Sequence, residues 1–269
     1  MYSFQTNVTS LVAQQNLSVN SEFQARTITR LTSGYRINSS GDDAAGLAVA
    51  NQFRSDVAEL QQGVRNANDG ISTLQIADGG LGNISNILDR LKTLATQAAS
   101  GTFAGSRATL DGEFQTLLTE IGRQATNVGL NTGGANVASL SIYIGGGASP
   151  TVTVNLSTGA SDVAGLSLTG AKVDTAANAT TAIASINTAI GKLGAVQGAV
   201  GAGQNDLQYA IQLGQSQIAS FSAAQSRIRD ADVATEAANL TKAQVLAQSS
   251  VAALAQANAA PQALLKLLQ

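Results

Sequence analysis

Cysteine and histidine, which perform much of protein chemistry, do not occur in this chain of 269 residues. The protein therefore cannot form disulfides, use a thiol nucleophile, build a zinc site from the usual ligands or carry out histidine acid–base catalysis. Only carboxylate or serine/lysine chemistry is left for an enzyme. We expect no catalytic site, no cofactor and no bound metal.

Charge is also scarce. Charged residues make up 12% of the chain, about half of the usual ~25%, and the net charge is −2 without a basic block. Nucleic acid and anionic membranes are therefore poor partners for this protein. Small polar residues and alanine take the place of the missing charges, which is typical of helices packed closely among many neighbours.

Long apolar runs are missing too. Residues 1–7 contain neither a basic region nor an apolar core, so they do not resemble a secretory signal peptide. The most apolar stretch, 251–268, is interrupted by Gln256, Asn258, Pro261, Gln262 and Lys266. We expect no segment that crosses a membrane.

A heptad pattern is the strongest signal that the chain does contain. From Asp43 to about Ser100, apolar residues recur at steps of four and three, with a slip near Asp78. They are Phe53, Val57, Leu60, Val64, Ala67, Ile71 and Leu74, then Leu81, Ile84, Leu88, Leu91, Ala95 and Ala98. The pattern predicts one helix, roughly 85 Å long at ~1.5 Å per residue, that needs a partner helix.

Other elements follow from similar patterns. A helix is predicted from Ser106 as cap to Val128, folding back on the first. A β-hairpin is predicted within 131–175, from the alternation around Ile142 and Val154, with a short third strand at 165–168. A second heptad seam from about Ala176 to Ile228 is the natural partner of the first. The predicted fold class is mainly α, an elongated antiparallel coiled-coil bundle with a small β-hairpin region.

The chain ends are predicted to be helical as well, over 5–33 and 233–259, followed by an apolar tail at 261–269. We expect a discontinuous terminal domain, 1–42 with 227–269, and a helical rod domain, 43–226. The terminal helices carry apolar faces and almost no charge, which marks an interaction surface. They should be loose in the monomer and ordered in an assembly. The alternative is an ordinary small bundle.

Candidate residues for packing between subunits are apolar positions of these helices. They are Val8, Leu11, Leu31, Leu60, Leu74, Leu240, Val251 and Leu254. Asp42 and Asp43 could form a carboxylate or cation site, but their place beside Ser40 at a helix start favours capping. Glycines 145–147 lack the lysine and the helix start of a phosphate loop, so a hairpin turn is the better interpretation.

Two long motifs at opposite ends resemble the terminal signatures of bacterial flagellins. The first is RLTSGYRINS at 30–39 with DDAAGLA at 42–48. The second is SRIRDAD at 226–232, with AQVL at 243–246 and LAQAN at 254–258. The resemblance covers about residues 1–130 and 176–269, and it indicates a minimal flagellin without inserted outer domains.

This resemblance implies a structural subunit that polymerises into the extracellular filament, the helical propeller for swimming. It also implies self-association into a helical homopolymer, with terminal helices lining the inner tube. Export would use the flagellar type III apparatus, with an export chaperone on about 233–269. Hook-junction and cap proteins would be further partners.

The resemblance further implies a candidate ligand of an innate immune Toll-like receptor. The family pattern Arg-x-Arg-Glu-Leu falls on residues 90–94, where Arg90 and Leu94 match but Lys92 and Thr93 do not. Glu113 matches the family's partner glutamate. The alternative is that Arg90 and Glu113 face a neighbouring subunit.

Three other functions remain as alternatives. A hook–filament junction protein would share the terminal design but differ in the matched signatures. A type III needle or translocator protein would need longer apolar runs, and an enzyme would show activity.

Overall fold

A computed structural model describes residues 7–135, 139–147, 149–156 and 159–267 of the chain, with side chains described as far as residue 259. The order of elements is α1 Val8–Ser33, α2 Ala44–Ala99, α3 Arg107–Asn127, β1 Leu140–Tyr143, β2 Thr151–Val154, α4 Ala176–Arg229 and α5 Val233–Leu267. The predicted class, mainly α with a small antiparallel hairpin, is confirmed.

The helix ends carry local capping signals. Gly34 ends α1 in the left-handed region, with φ at 75°, and its N–H donates to Arg30 O. The Ser106 hydroxyl accepts from Thr109 N at the start of α3. These ends agree with the predicted ones to within a residue, because each depends on a single side chain or on a glycine.

The start of α2 differs in one detail from the prediction. The capping side chain is Asp43, whose Oδ1 accepts from Gly46 N at 2.9 Å, rather than Ser40. Asp42 instead accepts from the N–H groups of Asn38 and Ser39 in the preceding turn, at 3.1 and 3.0 Å. Both aspartates therefore organise backbone, as the capping interpretation predicted.

The chain divides into two compact units. The terminal unit comprises 1–55 and 220–269, and the central unit comprises 56–219. The division falls inside α2 and α4, whereas the domain boundaries expected from the sequence lie near the ends of these helices.

In the central unit, α2 keeps one unbroken heptad register on its buried face. The buried positions in this register are Leu60, Gly63, Ala67, Gly70, Leu74, Ala77, Leu81, Ile84, Leu88, Leu91, Ala95 and Ala98, and Gly80 and Leu94 are buried beside it. The predicted slip near Asp78 is wrong, because glycine and alanine occupy alternate positions that a count of large apolar residues passes over. Val64 and Ile71, which were predicted on the seam, are half-buried at its edge.

The buried face of α4 follows the same rule. Its buried positions are Ala179, Ala182, Ile186, Ala189, Leu193, Val196, Val200, Gly203, Leu207 and Gly214. Three isoleucines predicted on this seam, Ile183, Ile190 and Ile211, are only partly buried and pack against its margin. Residues from α2, α3, α4 and the hairpin together form one hydrophobic core.

The hairpin β1–β2 is confirmed, with Leu140 opposite Val154 and Ile142 opposite Val152. It sits where the helices lack side chains. A Cβ at Gly63 would overlap the carbonyl oxygen of Ile144, and one at Gly70 would overlap Cδ1 of Ile142. These two glycines, one heptad apart on α2, therefore let the hairpin approach the helix backbone.

Two local predictions are wrong. Residues 165–168 form a turn instead of a third strand, with Ser167 at a φ of 60°; Leu166 and Leu168 are still buried. At the C-terminus, α5 continues through Pro261 to Leu267, beyond the predicted helix end at residue 259. Alanine, leucine, glutamine and lysine, which fill that tail, are strong helix formers.

Candidate assembly surface

Within the terminal unit, α1 and α5 lie antiparallel and are joined by polar side-chain contacts. Four side-chain contacts run in order along the pair: Asn7 Nδ2 to Ala257 O (2.8 Å), Ser10 Oγ to Asn258 Oδ1 (2.8 Å), Asn20 Nδ2 to Ser250 Oγ (2.9 Å) and Arg30 Nη1 to Glu236 Oε1 (3.3 Å). Sequence reasoning predicted both helices but none of these contacts.

Very little of the terminal unit is buried. Among its described residues, the buried ones are Thr27, Ile37, Ala50, Glu236 and Ala243. Two of these are polar and two are alanine, so burial by α1 and α5 alone contributes little hydrophobic stabilisation. The central unit, in contrast, has a core of leucine, isoleucine, valine and phenylalanine.

Several aliphatic side chains of α1 and α5 face outward. The exposed fractions are Val8 61%, Leu11 55%, Val12 52% and Val19 55% on α1, and Val233 59%, Val245 61% and Val251 54% on α5. Fully burying one such side chain stabilises by about 1.5–3 kcal/mol. The exposed aliphatic surface therefore favours association with further protein.

On α1 this surface is separate from the contact with α5. Val8, Val12 and Val19 share one side of the helix, whereas Asn20 and Thr27 lie about 90° around it at 3.6 residues per turn. The α1–α5 pairing therefore leaves the valine stripe uncovered.

The eight residues predicted for subunit packing fall into three groups. Val8, Leu11 and Val251 are more than half exposed, whereas Leu31, Leu240 and Leu254 are half-buried. Leu60 and Leu74 are each 1% exposed and lie inside the central unit of this chain. Their surface is already covered within the chain, so the six terminal residues are the ones with area left to offer a neighbour.

Backbone and aromatic contacts join the segment after α1 to the end of α4. Arg36 N donates to Arg229 O at 2.7 Å, and Ala231 N donates to Gly34 O at 2.9 Å. The Arg229 guanidinium lies 4.2 Å from the centre of the Tyr35 ring. Through these contacts, the sequence motif at 30–39 meets the motif at 226–232. They hold the segment after α1 against the end of α4.

The start of α5 is capped by Asp232. Its side chain accepts from the Thr235 hydroxyl at 2.7 Å and from Ala234 N at 3.0 Å. Hydrogen bonds from the Thr235 hydroxyl, then from the backbone of Thr235 and Ala234, lower the pKa of Asp232 from its usual value of 3.8. Backbone N–H groups of Ser39 and Asn38 lower the pKa of Asp42 in the same way.

A polar cavity of about 410 Å³ lies beside these caps. Its lining combines two arginines with five carboxylates: Arg30, Arg36, Asp42, Asp43, Asp230, Asp232 and Glu236. Asp42, Asp43 and Asp232 hold helix or turn backbone, and Glu236 pairs with Arg30. Across the described residues, no group of three or more potential ligands has the arrangement of a metal site.

The candidate receptor residues lie on α2 and α3. Arg90 Nε and Nη2 both donate to Oε1 of Glu113, at 2.9 and 2.6 Å, and the two side chains are 56% and 43% exposed. Leu94 is 2% exposed. It packs in the core, so only Arg90 and Glu113 of the three can present side-chain surface to a receptor.

No helix in the described part of the chain is long and apolar enough to cross a membrane.

Comparison with known proteins gives matches over nearly the whole chain. Residues 4–132 match the bacterial flagellin N-terminal helical region, and residues 183–268 match the bacterial flagellin C-terminal helical region. A flagellin of Halalkalibacterium halodurans is 34% identical, with 98% of each chain covered. A flagellin of Listeria monocytogenes is 35% identical over 98% of each chain, and flagellin FlaB2 of Treponema pallidum is 33% identical over 98% of each. The crystal structure of Bacillus cereus flagellin is 31% identical, with a TM-score of 0.49, covering 55% of this chain and 88% of that one.

Proposed function

The chain belongs to the bacterial flagellin family, and from that premise we propose that the α1–α5 pair is the element through which it polymerises. Members of the family are structural subunits of the flagellar filament outside the cell, and they are not enzymes. The filament would act as the helical propeller for swimming.

One observation carries this proposal. The two terminal helices bury few side chains between them, and the valine stripe of α1 and three valines of α5 stay exposed outside that contact. A helix pair of this kind reaches a well-buried state only when further helices cover the aliphatic surface. Identical copies supply such helices in a homopolymer.

The proposal predicts that Val12→Ser weakens assembly. Serine in place of an exposed valine removes aliphatic area that neighbouring copies would bury, at a cost of about 1–2 kcal/mol per copy. The expected result is a rise of about tenfold in the critical concentration for polymerisation, measured by sedimentation.

Gln14→Ser is the matched control. Gln14 is exposed two residues away, on the other side of α1, and receives the same new residue. We expect it to change the critical concentration much less. Equal effects of the two substitutions would contradict a role for the aliphatic stripe.

Further partners belong to the same proposal. The flagellar type III apparatus would export the chain, an export chaperone would hold about 233–269 before export, and hook-junction and cap proteins would contact the ends of the filament. The exposed aliphatic residues of α5 support the chaperone contact, because they would need cover before polymerisation.

Recognition by an innate immune Toll-like receptor is a second role, supported by the exposed Arg90–Glu113 pair. Because Leu94 is buried and Lys92 and Thr93 replace the family's arginine and glutamate, the surface is smaller than the family pattern implies. Arg90→Ala is expected to lower signalling in receptor-bearing reporter cells and to leave polymerisation intact. Arg65→Ala, which removes an exposed positive charge from the same helix, serves as control. A wild-type protein that gives no signal would contradict this role.

A further inference from the structure

One ion pair of the terminal unit is more buried than the other ion pairs of the described residues. Arg30 Nη1 lies 3.3 Å from Glu236 Oε1, and the side chains are 35% and 10% exposed. The corresponding values are 56% and 43% for Arg90–Glu113, and 59% and 34% for Arg123–Glu120. The pair joins two helices that otherwise carry few charges, and its Glu236 side is buried.

Both residues are held in place by their surroundings. Oε2 of Glu236 faces Asn239 Nδ2 at 3.5 Å, while Oε1 receives Arg30. Arg30 is in the last turn of α1 and Glu236 in the first turn of α5. Each charge thus sits at the helix end that its sign favours.

An ion pair with one buried partner can contribute more to specificity than to stability. Desolvating the charges offsets much of their attraction, but an arrangement that separates them leaves the buried Glu236 carboxylate without its partner, which is unfavourable. Sliding α5 by one turn along α1 would move Glu236 about 5.4 Å from Arg30.

The polar groups elsewhere in the α1–α5 contact discriminate weakly between registers. Its buried members include Thr27 and Ala243, and its hydrogen bonds join common groups such as those of Asn20 and Ser250. Asparagine, serine and alanine recur along both helices, so a slipped pair would find similar partners. One turn away, Arg26 on α1 and Asp232 before α5 carry the same signs as Arg30 and Glu236, but Arg26 is exposed and Asp232 caps α5 through Ala234 N and the Thr235 hydroxyl. A slip that re-paired the charges would therefore have to give up this cap.

We propose that Arg30 and Glu236 form an intrachain register lock for the terminal helices. The lock decides which turn of α5 lies beside which turn of α1. It thereby sets how the valine stripe of α1 and the exposed valines of α5 are presented together to neighbouring copies. This inference rests on the proposed function and names a specificity determinant of it.

Charge reversal tests the lock. Arg30→Glu and Glu236→Arg each place like charges together and are expected to raise the critical concentration at least about tenfold. The double variant is expected to recover most of the loss, incompletely because each new charge meets the less favourable end of its helix. The reversed pair Glu120→Arg with Arg123→Glu, exposed on α3, is the control and should have no effect on assembly. A double variant no better than the worse single variant would overturn the proposal.

A mixture of the two single variants separates pairing within a chain from pairing between chains. The lock is intrachain, so equal amounts of Arg30→Glu and Glu236→Arg copies are expected to remain as defective as either alone. Recovery in the mixture would mean that the pair acts between copies, and would overturn the proposal.

A crosslink reads the register directly. The chain has no cysteine, so Asn20→Cys with Ser250→Cys introduces two thiols at neighbouring positions, to be joined by a short bifunctional thiol reagent. In this background, Arg30→Met with Glu236→Leu is expected to preserve helix content by circular dichroism but to lower the intrachain crosslink yield severalfold. An unchanged yield would overturn the lock and leave the pair a merely structural role.

The crosslink also separates failure of this inference from failure of the proposed function. It is measured on both soluble and sedimented protein. If the wild-type protein does not polymerise, the proposed function fails, while the soluble crosslink still decides the register. If the protein carrying only Asn20→Cys and Ser250→Cys polymerises but gives no crosslink in either form, only the lock is overturned.

Discussion

At the scale of the residue, the smallest side chains decide the arrangement of the central unit. Gly63 and Gly70 occupy core positions of α2, and the hairpin fills the space that a side chain would take. Asn66 Nδ2 and the Glu59 carboxylate then hold Tyr143, through its carbonyl and its hydroxyl, at 3.0 and 2.8 Å. Sequence patterns show where large apolar residues recur, but a glycine at a core position looks the same as one on the surface until its neighbour is known.

Gly63→Ala is therefore expected to destabilise the protein despite the higher helix propensity of alanine. The new methyl group would meet the backbone carbonyl of Ile144, and such overpacking costs about 1–3 kcal/mol. The measurement is the free energy of unfolding from urea titration followed by circular dichroism.

Gly79→Ala on the same helix is the matched control. Gly79 is exposed and nothing lies within 4 Å of the position its Cβ would take. Alanine there should stabilise by about 0.5–1 kcal/mol through helix propensity. If both substitutions changed the free energy of unfolding by the same amount in the same direction, the close approach of the hairpin at Gly63 would have no energetic role.

At the scale of the element, the sequence was a good guide wherever one local signal is enough. Gly34 and Ser106 place helix ends correctly because a cap or a left-handed glycine needs no distant partner. The same reasoning fails for the turn at 165–168. Leu166 and Leu168 are both buried there, so alternating apolar residues do not distinguish this turn from a strand. It also fails for α5, whose helix continues past Pro261.

The cap of α5 leads to a pH prediction. The pKa of Asp232 is lowered in the folded chain, so the carboxylate stabilises the start of α5 above its usual pKa of 3.8. That contribution is lost as the pH falls through the lower folded pKa. Amide hydrogen exchange at Ala234 and Thr235 should accelerate, relative to an uncapped reference helix, on acidification below about pH 4.

Asp232→Asn keeps a capping oxygen but cannot titrate in this range. We expect this variant to lack the acid-dependent step in exchange. If wild type and variant showed the same step, a different group would be responsible for it.

At the scale of the whole molecule, the two compact units differ in how much of its apolar surface each buries by itself. The central unit encloses a continuous core. The terminal unit buries few described side chains and exposes its valines. Low charge and apolar faces predicted this contrast from the sequence. The outward direction of individual residues, and the covering of Leu60 and Leu74 within the chain, depend on contacts between distant segments that periodicity does not reveal.

The most direct test of the central claim removes α5. A chain lacking 233–269 should remain helical and keep the thermal unfolding of the central unit, because that unit has its own core. It should form no filaments under electron microscopy at concentrations where the full chain polymerises. Normal filaments from the shortened chain would contradict the claim that the paired terminal helices drive assembly.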